Sequence, residues 1–124
     1  MNISVIIPMY GVENYIVRCA RSLFEQTFTN GVEFLFIDDA SKDKSHEVLQ
    51  TVIDEYAGQN LNVRIIRHEK NMGLPSARNT GLKHAQGEYV MHVDGDDFLE
   101  RDALELLYNA VKDNNADAVW CDYY

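Results

Sequence analysis

Cysteine and proline are both scarce in this sequence, with two residues of each among 124. Cys19 and Cys121 stand far apart and form no Cys-x-x-Cys pair, which argues against a disulfide framework and against a cysteine zinc site. We expect both thiols to be free and buried. The chain also contains no linker, internal repeat or low-complexity segment.

Long apolar runs are absent as well. No run approaches the roughly 20 residues that a membrane-spanning helix needs. The N-terminal stretch MNISVIIP has neither the basic segment nor the long apolar core of a secretory signal. We therefore expect a soluble, cytoplasmic chain, with membrane association left open only for a longer parent protein.

Basic residues are in deficit, because 11 lysines and arginines face 20 aspartates and glutamates, for a formal net charge of −9. The negative electrostatic field of such a chain repels nucleic acids and anionic membranes, so neither is expected as a partner. An anionic ligand would need local help from an arginine, from backbone N–H groups or from a metal ion. The remaining composition, with 46% hydrophobic and 25% charged residues, is typical of one compact domain over residues 1–124.

Apolar patterning alternates between short buried strands and amphipathic helices throughout the chain. The pattern predicts strands at 3–7, 32–37, 61–66, 89–93 and 116–121, and helices at 12–26, 48–56, 76–85 and 99–111. Strands that alternate with helices form right-handed βαβ units. We therefore predict an α/β fold with a mostly parallel, Rossmann-like sheet and helices on both faces.

Three carboxylates occupy four positions where the fourth predicted strand ends, in the sequence Asp94-Gly95-Asp96-Asp97. In an extended segment Asp94 and Asp96 project to the same side, and Gly95 leaves room for something to approach the backbone. Two charges about 5 Å apart near a protein surface repel by roughly 3 kcal/mol, which favours a counter-ion such as Mg²⁺ or Mn²⁺. The alternative is a plain acidic turn that caps the next helix.

Polar residues also follow two other predicted strands, with Tyr10 after the first and Asp38-Asp39 after the second. The carboxyl ends of parallel strands lie at one edge of a sheet, so we expect these residues and the acidic cluster to converge in one crevice. Gly81, inside a predicted helix, costs about 1 kcal/mol relative to alanine and indicates either close packing or the approach of a ligand. The four histidines lack zinc-protease spacing and are expected to be surface or packing residues.

Several motifs occur in an ordered series along the chain. They are VIIPMY at 5–10, SL at 22–23 with QT at 26–27, FIDDASKD at 36–43, NMGLPSARNTG at 71–81, GEY at 87–89 and VDGDD at 93–97. With these motifs essentially the whole chain resembles the N-terminal half of family 2 glycosyltransferases, which have the GT-A fold and use nucleotide-diphosphate sugars. Ala40 stands where that family often has glycine, Gly11 where it often has asparagine, and Lys44 where glycine is frequent.

The resemblance implies a donor-binding site. Its nucleotide-binding residues would be Pro8, Tyr10, Asp39, Arg78 and Asp94, and its metal ligands Asp96 and Asp97, with Mn²⁺ or Mg²⁺ as the cofactor. In this assignment Tyr10 lies against the base, Asp39 accepts a hydrogen bond from a base N–H, typically of uracil, and Arg78 binds the diphosphate or the base edge. Asp94 is expected near the ribose or the sugar, and Asp38 is expected to support the loop or to cap the following helix.

The same resemblance implies an activity. A sugar would pass from a nucleotide-diphosphate sugar, with a UDP-sugar favoured, to an acceptor hydroxyl of unknown identity, with inversion at the anomeric carbon. The general base for this reaction is expected beyond Tyr124, so no catalytic residue is assigned. The chain is therefore also interpreted as a donor-binding fragment without turnover of its own. Apolar surface at Trp120, Tyr123 and Tyr124 would favour self-association.

Other families with acidic sites fit less well. A haloacid dehalogenase-type phosphatase is the more remote alternative, because its Asp-x-Asp motif normally follows the first strand. A phospho-receiver domain has its phosphorylated aspartate after the third strand, which here ends in Arg67-His68. A calcium-binding loop that starts at Asp94 would place Phe98 and Leu99 where a ligand and a glycine are needed.

Overall fold

A computed structural model describes residues 1–119, along which strands alternate with helices. The strands are β1 (Ile3–Met9), β2 (Val32–Asp38), β3 (Asn62–Arg67) and β4 (Tyr89–His92), and the helices are α1 (Ile16–Phe24), α2 (Ser45–Glu55), α3 (Leu74–His84) and α4 (Ala103–Asp113). The first four predicted strands and all the predicted helices are therefore confirmed, with shifts of a few residues at their ends.

The described strands form one parallel sheet in the order β3-β2-β1-β4. β1 and β2 lie at its centre, and every residue of both is buried. This burial on two faces explains why their sequences are continuous apolar runs rather than alternating ones. β3 and β4 flank them and mix half-buried with exposed positions. The predicted α/β fold with a parallel sheet is confirmed.

Helices cover both faces of the sheet, as predicted. On one face α1, α2 and α4 pack against the strands in a cluster that includes Val5, Ile7, Phe34, Phe36, Cys19, Leu23, Leu49 and Leu104. On the other face α3 packs through Ala77 against Ile6, Leu35 and Ile37. Alternation of side chains along each strand separates these two sets. Burying one such aliphatic side chain stabilises the fold by about 1.5–3 kcal/mol.

α3 approaches the sheet most closely at Gly81. A Cβ atom at this position would overlap the Ile6 side chain. The glycine is therefore required because helix and strand pack tightly there, and of the two explanations that the sequence allows, close packing is the correct one.

The order in which strands are added to the parallel sheet reverses at β1. β2 and β3 lie on one side of β1, whereas β4 lies on the other. Ligands of open α/β sheets bind outside the carboxyl ends of the strands at such a reversal. The ends of β1 and β4 are therefore where a site is expected.

Two helices begin later than their apolar patterns predict. Residues 12–15 precede α1, and the Val12 N–H donates to the Ser45 hydroxyl at 2.8 Å. Residues 99–102 precede α4, and the Leu99 N–H donates to the Ser22 hydroxyl at 3.1 Å. Side chains of other elements satisfy N–H groups in these segments, so the chain is not helical there although its periodicity continues.

The fifth predicted strand is not formed in the described part of its range, because residues 116–119 lie outside every helix and strand. The Ala116 N–H instead donates to the Val111 carbonyl at 2.8 Å and closes the end of α4. The rest of that prediction lies outside the described residues, as do Cys121 and the self-association suggested for Trp120, Tyr123 and Tyr124. Cys19 is a buried free thiol, as predicted.

Among residues 1–119, none of the helices has the length and apolar character of a bilayer-spanning segment.

Candidate functional site

Residues 94–97 form a tight turn after β4, the acidic turn. The Asp97 N–H donates to the Asp94 carbonyl at 3.0 Å and closes it. Side-chain ligand atoms of Asp94, Asp96 and Asp97 all lie within 4.8 Å of one another. The carboxylates lie close together, as the sequence suggests. The predicted cause was wrong, because the turn brings them together and not the alternation of side chains along an extended strand.

Gly95 joins the acidic turn to the end of β1. Its N–H donates to the Pro8 carbonyl at 3.0 Å, and the Val93 N–H donates to the Ile6 carbonyl at 2.9 Å. A Cβ on Gly95 would lie 3.0 Å from the Cβ of Met9, so the group that approaches the backbone here is β1 itself. Pro8 is buried in β1 and positions the turn through its carbonyl, while its contact with a nucleotide stays a prediction.

Burial and charge repulsion both disfavour the ionised form of Asp97 in the acidic turn. Burial, Asp96 and Asp94 raise the pKa of Asp97 above its ordinary value. Beneath the turn, the thiol of Cys19 on α1 lies 3.7 Å from the Asp94 carbonyl. Burial and the three carboxylates raise the pKa of this thiol to about 12. Cys19 is therefore a neutral packing group under a region of negative potential.

The donor set of the acidic turn fits a hard divalent cation. Mg²⁺ and Mn²⁺ prefer carboxylate oxygens, and a cation relieves the repulsion that raises the pKa of Asp97. Asp96 and Asp97 are exposed and Asp94 is half-buried, so a cation would reach them from solvent and retain room for water or ligand oxygens. The assignment of Asp96 and Asp97 as metal ligands stays a prediction.

Arg78 extends from α3 to the acidic turn. Its Nη2 lies 3.5 Å from Asp94 Oδ1, and these side chains are 41% and 43% exposed. An exposed ion pair of this kind contributes no more than about 1 kcal/mol. The guanidinium is therefore available to an anionic ligand beside Asp94.

Asp39 is buried just after β2, and both of its carboxylate oxygens accept hydrogen bonds. Oδ1 accepts from the Met72 N–H at 2.9 Å and lies 2.8 Å from His68 Nδ1, while Oδ2 accepts from the Gly73 N–H at 2.9 Å. Burial alone would raise the pKa of Asp39, but these hydrogen bonds lower it below its ordinary value. A carboxylate has about four acceptor positions, so one position on Oδ2 remains for a ligand.

Asp38 supports the loop, which was one of its two expected roles. Its Oδ1 accepts from the Ser41 N–H at 2.9 Å, and Arg67 Nε lies 3.3 Å from its Oδ2. The side chain has no exposed surface. Asp38 is therefore not accessible to a ligand from solvent, and the contact of Asp39 with a nucleotide stays a prediction.

Tyr10 is exposed at the carboxyl end of β1. It follows β1 directly and is 46% exposed, so its ring is accessible to a ligand. The backbone after it is tied to the loop between β2 and α2, since the Gly11 N–H donates to the Ser41 hydroxyl at 3.2 Å. This contact holds the backbone next to Tyr10 in place.

Sequence reasoning missed two residues that hold the site together. Gln26 clamps α1 to the segment after the acidic turn, because its amide donates to the Ser22 and Glu100 carbonyls and accepts from the Leu104 N–H. Its place in the QT motif was the available signal. His68 contacts Asp39 and Thr80, and nothing in the sequence distinguished it from a surface histidine.

A family profile described as "Glycosyl transferase family 2" matches residues 4–124. The uncharacterized glycosyltransferase EpsJ of Bacillus subtilis is 38% identical over 122 residues, which cover 98% of this chain and 34% of EpsJ. The glycosyltransferase GlyG of Streptococcus pneumoniae is 36% identical over 122 residues, with 98% of this chain and 39% of GlyG covered. The chain thus spans little more than a third of the length of these curated relatives.

Solved structures share the fold. S. aureus TarS 1-349 in complex with UDP-GlcNAc has a TM-score of 0.81 and 32% identity, over 93% of this chain and 32% of TarS 1-349. The mannosyltransferase PcManGT from Pyrobaculum calidifontis, in complex with GDP-Man and Mn²⁺, has a TM-score of 0.79 and 28% identity, over 90% of this chain and 31% of that one. The predicted GT-A type of fold is confirmed by these similarities.

Proposed function

The chain belongs to glycosyl transferase family 2, and from this premise we propose that it binds a nucleotide-diphosphate sugar with a divalent metal ion, for transfer of the sugar to an acceptor hydroxyl. One observation carries the proposal. Three carboxylates and the guanidinium of Arg78 converge where β1 and β4 end. Neither a plain acidic turn nor a helix cap requires that arrangement.

The charges of the site define the role of the metal. A diphosphate would be repelled by the acidic turn and by the net charge of −9. Asp96 and Asp97 would hold the ion, Mn²⁺ or Mg²⁺, and Arg78 would bind the diphosphate from α3. When bound, the metal neutralises the negative charge that develops on the leaving diphosphate. Asp94, between Arg78 and the other carboxylates, would accept hydrogen bonds from the ribose or the sugar.

The base would lie between Tyr10 and Asp39. Asp39 is an ionised acceptor with one unused position on Oδ2. Uracil offers a single ring N–H to such a position, whereas guanine offers an N–H and an adjacent amino group that suit both oxygens of a free carboxylate. This difference favours a UDP-sugar as the donor.

The chemical step would be a direct displacement with inversion at the anomeric carbon. It needs a general base for the acceptor hydroxyl, and no residue is assigned that role. A donor-binding module without turnover is therefore the second candidate. The observation that favours it is that the chain spans only about a third of the length of its relatives. Release of UDP from a UDP-sugar in the presence of Mn²⁺ distinguishes the two, since a module binds the donor and releases none.

Calorimetric titration of the chain with UDP and GDP, each with and without Mn²⁺, tests the donor assignment. We expect Mn²⁺-dependent binding of UDP that is at least about tenfold tighter than that of GDP, because one hydrogen bond to a charged group is worth 1.5–3 kcal/mol. Tighter binding of GDP would overturn the choice of uracil. A folded protein that binds neither nucleotide would overturn the proposed function.

A further inference from the structure

Side chains of one short segment hold the loop between β1 and α1, which spans residues 10–15. The segment consists of residues 41–45, where the chain leaves β2 and enters α2. Three successive backbone N–H groups of the loop donate to it, Gly11 to Ser41 Oγ at 3.2 Å, Val12 to Ser45 Oγ at 2.8 Å and Glu13 to Asp43 Oδ2 at 3.4 Å. The segment 41–45 therefore holds the backbone of the loop at three consecutive residues.

Ser45 is the central contact of the three. It has no exposed surface, and its hydroxyl accepts from the Val12 N–H and donates to Asp43 Oδ1. Burial acts to raise the pKa of Asp43, but hydrogen bonds from Ser45 and Glu13 lower it below its ordinary value, so the carboxyl is ionised at neutral pH. A backbone N–H can only donate and a carboxylate can only accept, so both directions at the Ser45 hydroxyl are determined. Ser45 cannot contact a ligand itself and can act only through the loop.

Tyr10 is the first residue of this loop and depends on it for its position. The side chain is 46% exposed, so a large part of the ring is not packed against the protein. The next residue, Gly11, has a φ of 63°, a left-handed conformation that favours glycine, and its N–H is held by Ser41. The backbone is thus held by β1 before Tyr10 and by the segment 41–45 after it. A ring on such a backbone loses little conformational freedom when a ligand stacks on it.

We propose that Ser45 is a positioning residue, which together with Ser41 holds the loop so that the Tyr10 ring is placed to stack on the base of the nucleotide. This inference rests on the proposed function and adds to it the residues that prepare the base site. Without the Ser45 hydroxyl the Val12 N–H loses its acceptor, and the loop populates positions in which the ring is displaced. The apparent affinity then falls with the fraction of molecules that remain competent to bind. Because the loop acts through Tyr10, only ligands that carry a base should be affected.

The test compares binding of UDP and of inorganic pyrophosphate, each with Mn²⁺, by calorimetry. Ser45→Ala should weaken UDP binding about two- to tenfold, as for one net hydrogen bond, and leave pyrophosphate binding unchanged. Tyr10→Ala should weaken UDP binding about tenfold or more, as for the loss of one base–aromatic stack. In the Tyr10→Ala background Ser45→Ala should have no further effect, because residues that act through one another are not additive. Thr27→Ala is the matched control, since it removes a hydroxyl that donates to Glu105 on α4, and it should leave both affinities unchanged.

Ser41→Ala is the second variant, used if circular dichroism shows that Ser45→Ala does not fold, and it should behave in the same way. An unchanged UDP affinity, equal losses for UDP and pyrophosphate, or a loss that persists in the Tyr10→Ala background would overturn the inference. Amide hydrogen exchange of the ligand-free protein tests the loop contact alone, since Ser45→Ala should speed exchange at Val12, and unchanged exchange there would also overturn it. Absence of UDP binding by wild type would count against the proposed function instead, while the exchange result still decides whether Ser45 holds the loop.

Discussion

The carboxylates of the acidic turn are held close together at some cost to stability. Burial and two neighbouring carboxylates raise the pKa of Asp97, which means that its charge disfavours the metal-free fold. Gly95 nevertheless keeps the turn against β1 through its hydrogen bond to Pro8. The protein thus maintains a local repulsion that a bound cation would remove.

Asp97→Asn should stabilise the metal-free protein. The folded-state pKa of Asp97 is raised, so its penalty is fully present above that pKa and disappears as pH falls below the ordinary aspartate value of ~3.9. With a chelator at pH 7 we expect a gain of no more than about 0.5 kcal/mol, because the side chain is exposed and screened. Urea denaturation at pH 7 and at pH 3.5 measures it, and the gain should shrink to a small fraction of its pH 7 value at the lower pH.

Asp117→Asn is the matched control for this experiment, because it makes the same change at an exposed site outside every helix and strand. It should leave the free energy of unfolding unchanged at both pH values. A loss of stability in Asp97→Asn at pH 7 without metal would mean that the carboxylates do not repel one another.

Helix α3 links the sheet to the site, because it packs on the sheet through Ala77 and supplies Arg78 to the acidic turn. Gly81 allows its close approach to Ile6. Gly73, with φ of 94°, caps the N-terminus of α3, and its N–H donates to Asp39. The same helix is joined to β3 through Thr80 and His68. Small displacements of α3 therefore change the separation of Arg78 from the acidic turn.

Gly81→Ala should destabilise the fold although alanine favours helix. Helix propensity alone predicts a gain of about 1 kcal/mol, but overpacking against Ile6 typically costs about 1–3 kcal/mol. Chemical denaturation measures the change in the free energy of unfolding. Gly58→Ala is the control, since a Cβ there meets nothing within 4 Å and should not destabilise. Ile6→Ala removes the Cγ2 atom that the new methyl group would overlap, so it should cost less stability in the Gly81→Ala background than in wild type. A Gly81→Ala variant more stable than wild type would contradict the packing argument.

The sequence was sufficient for the parallel sheet, since β1 and β2 are continuous apolar runs, and for the position of the acidic turn at a strand end. It was insufficient for contacts made by side chains across long separations. The late starts of α1 and α4 depend on Ser45 and Ser22, and the role of His68 depends on two partners far along the chain. Hydrophobic periodicity indicates on which face of a helix or strand a residue lies. It does not indicate which distant side chain accepts a hydrogen bond from a backbone N–H.

Ala40 shows a related limit. Its φ of 61° lies in the left-handed region, which costs a residue with a Cβ about 1 kcal/mol or more. The frequent glycine of the resembling family at this position was a signal of that conformation. The sequence indicated an unusual residue at position 40, and the structure shows that the backbone there has a positive φ.

The whole molecule carries a net charge of −9, yet its proposed ligand is an anion. We therefore expect metal and nucleotide to assist each other's binding, because the cation removes the repulsion that the diphosphate would meet. Such coupling is reciprocal for binding free energies. It distinguishes a donor site from an acidic surface that collects cations without consequence.

The decisive measurement is the Mn²⁺ affinity of the chain with and without saturating UDP, corrected for Mn²⁺ held by free nucleotide. We predict that UDP raises Mn²⁺ affinity at least about fivefold, the lower end of ordinary coupling between sites. Asp96→Asn should abolish the coupling, and Asp117→Asn should retain it. Equal Mn²⁺ affinity with and without UDP, in a folded wild-type protein, would contradict the proposal that the acidic turn holds a metal for a nucleotide donor.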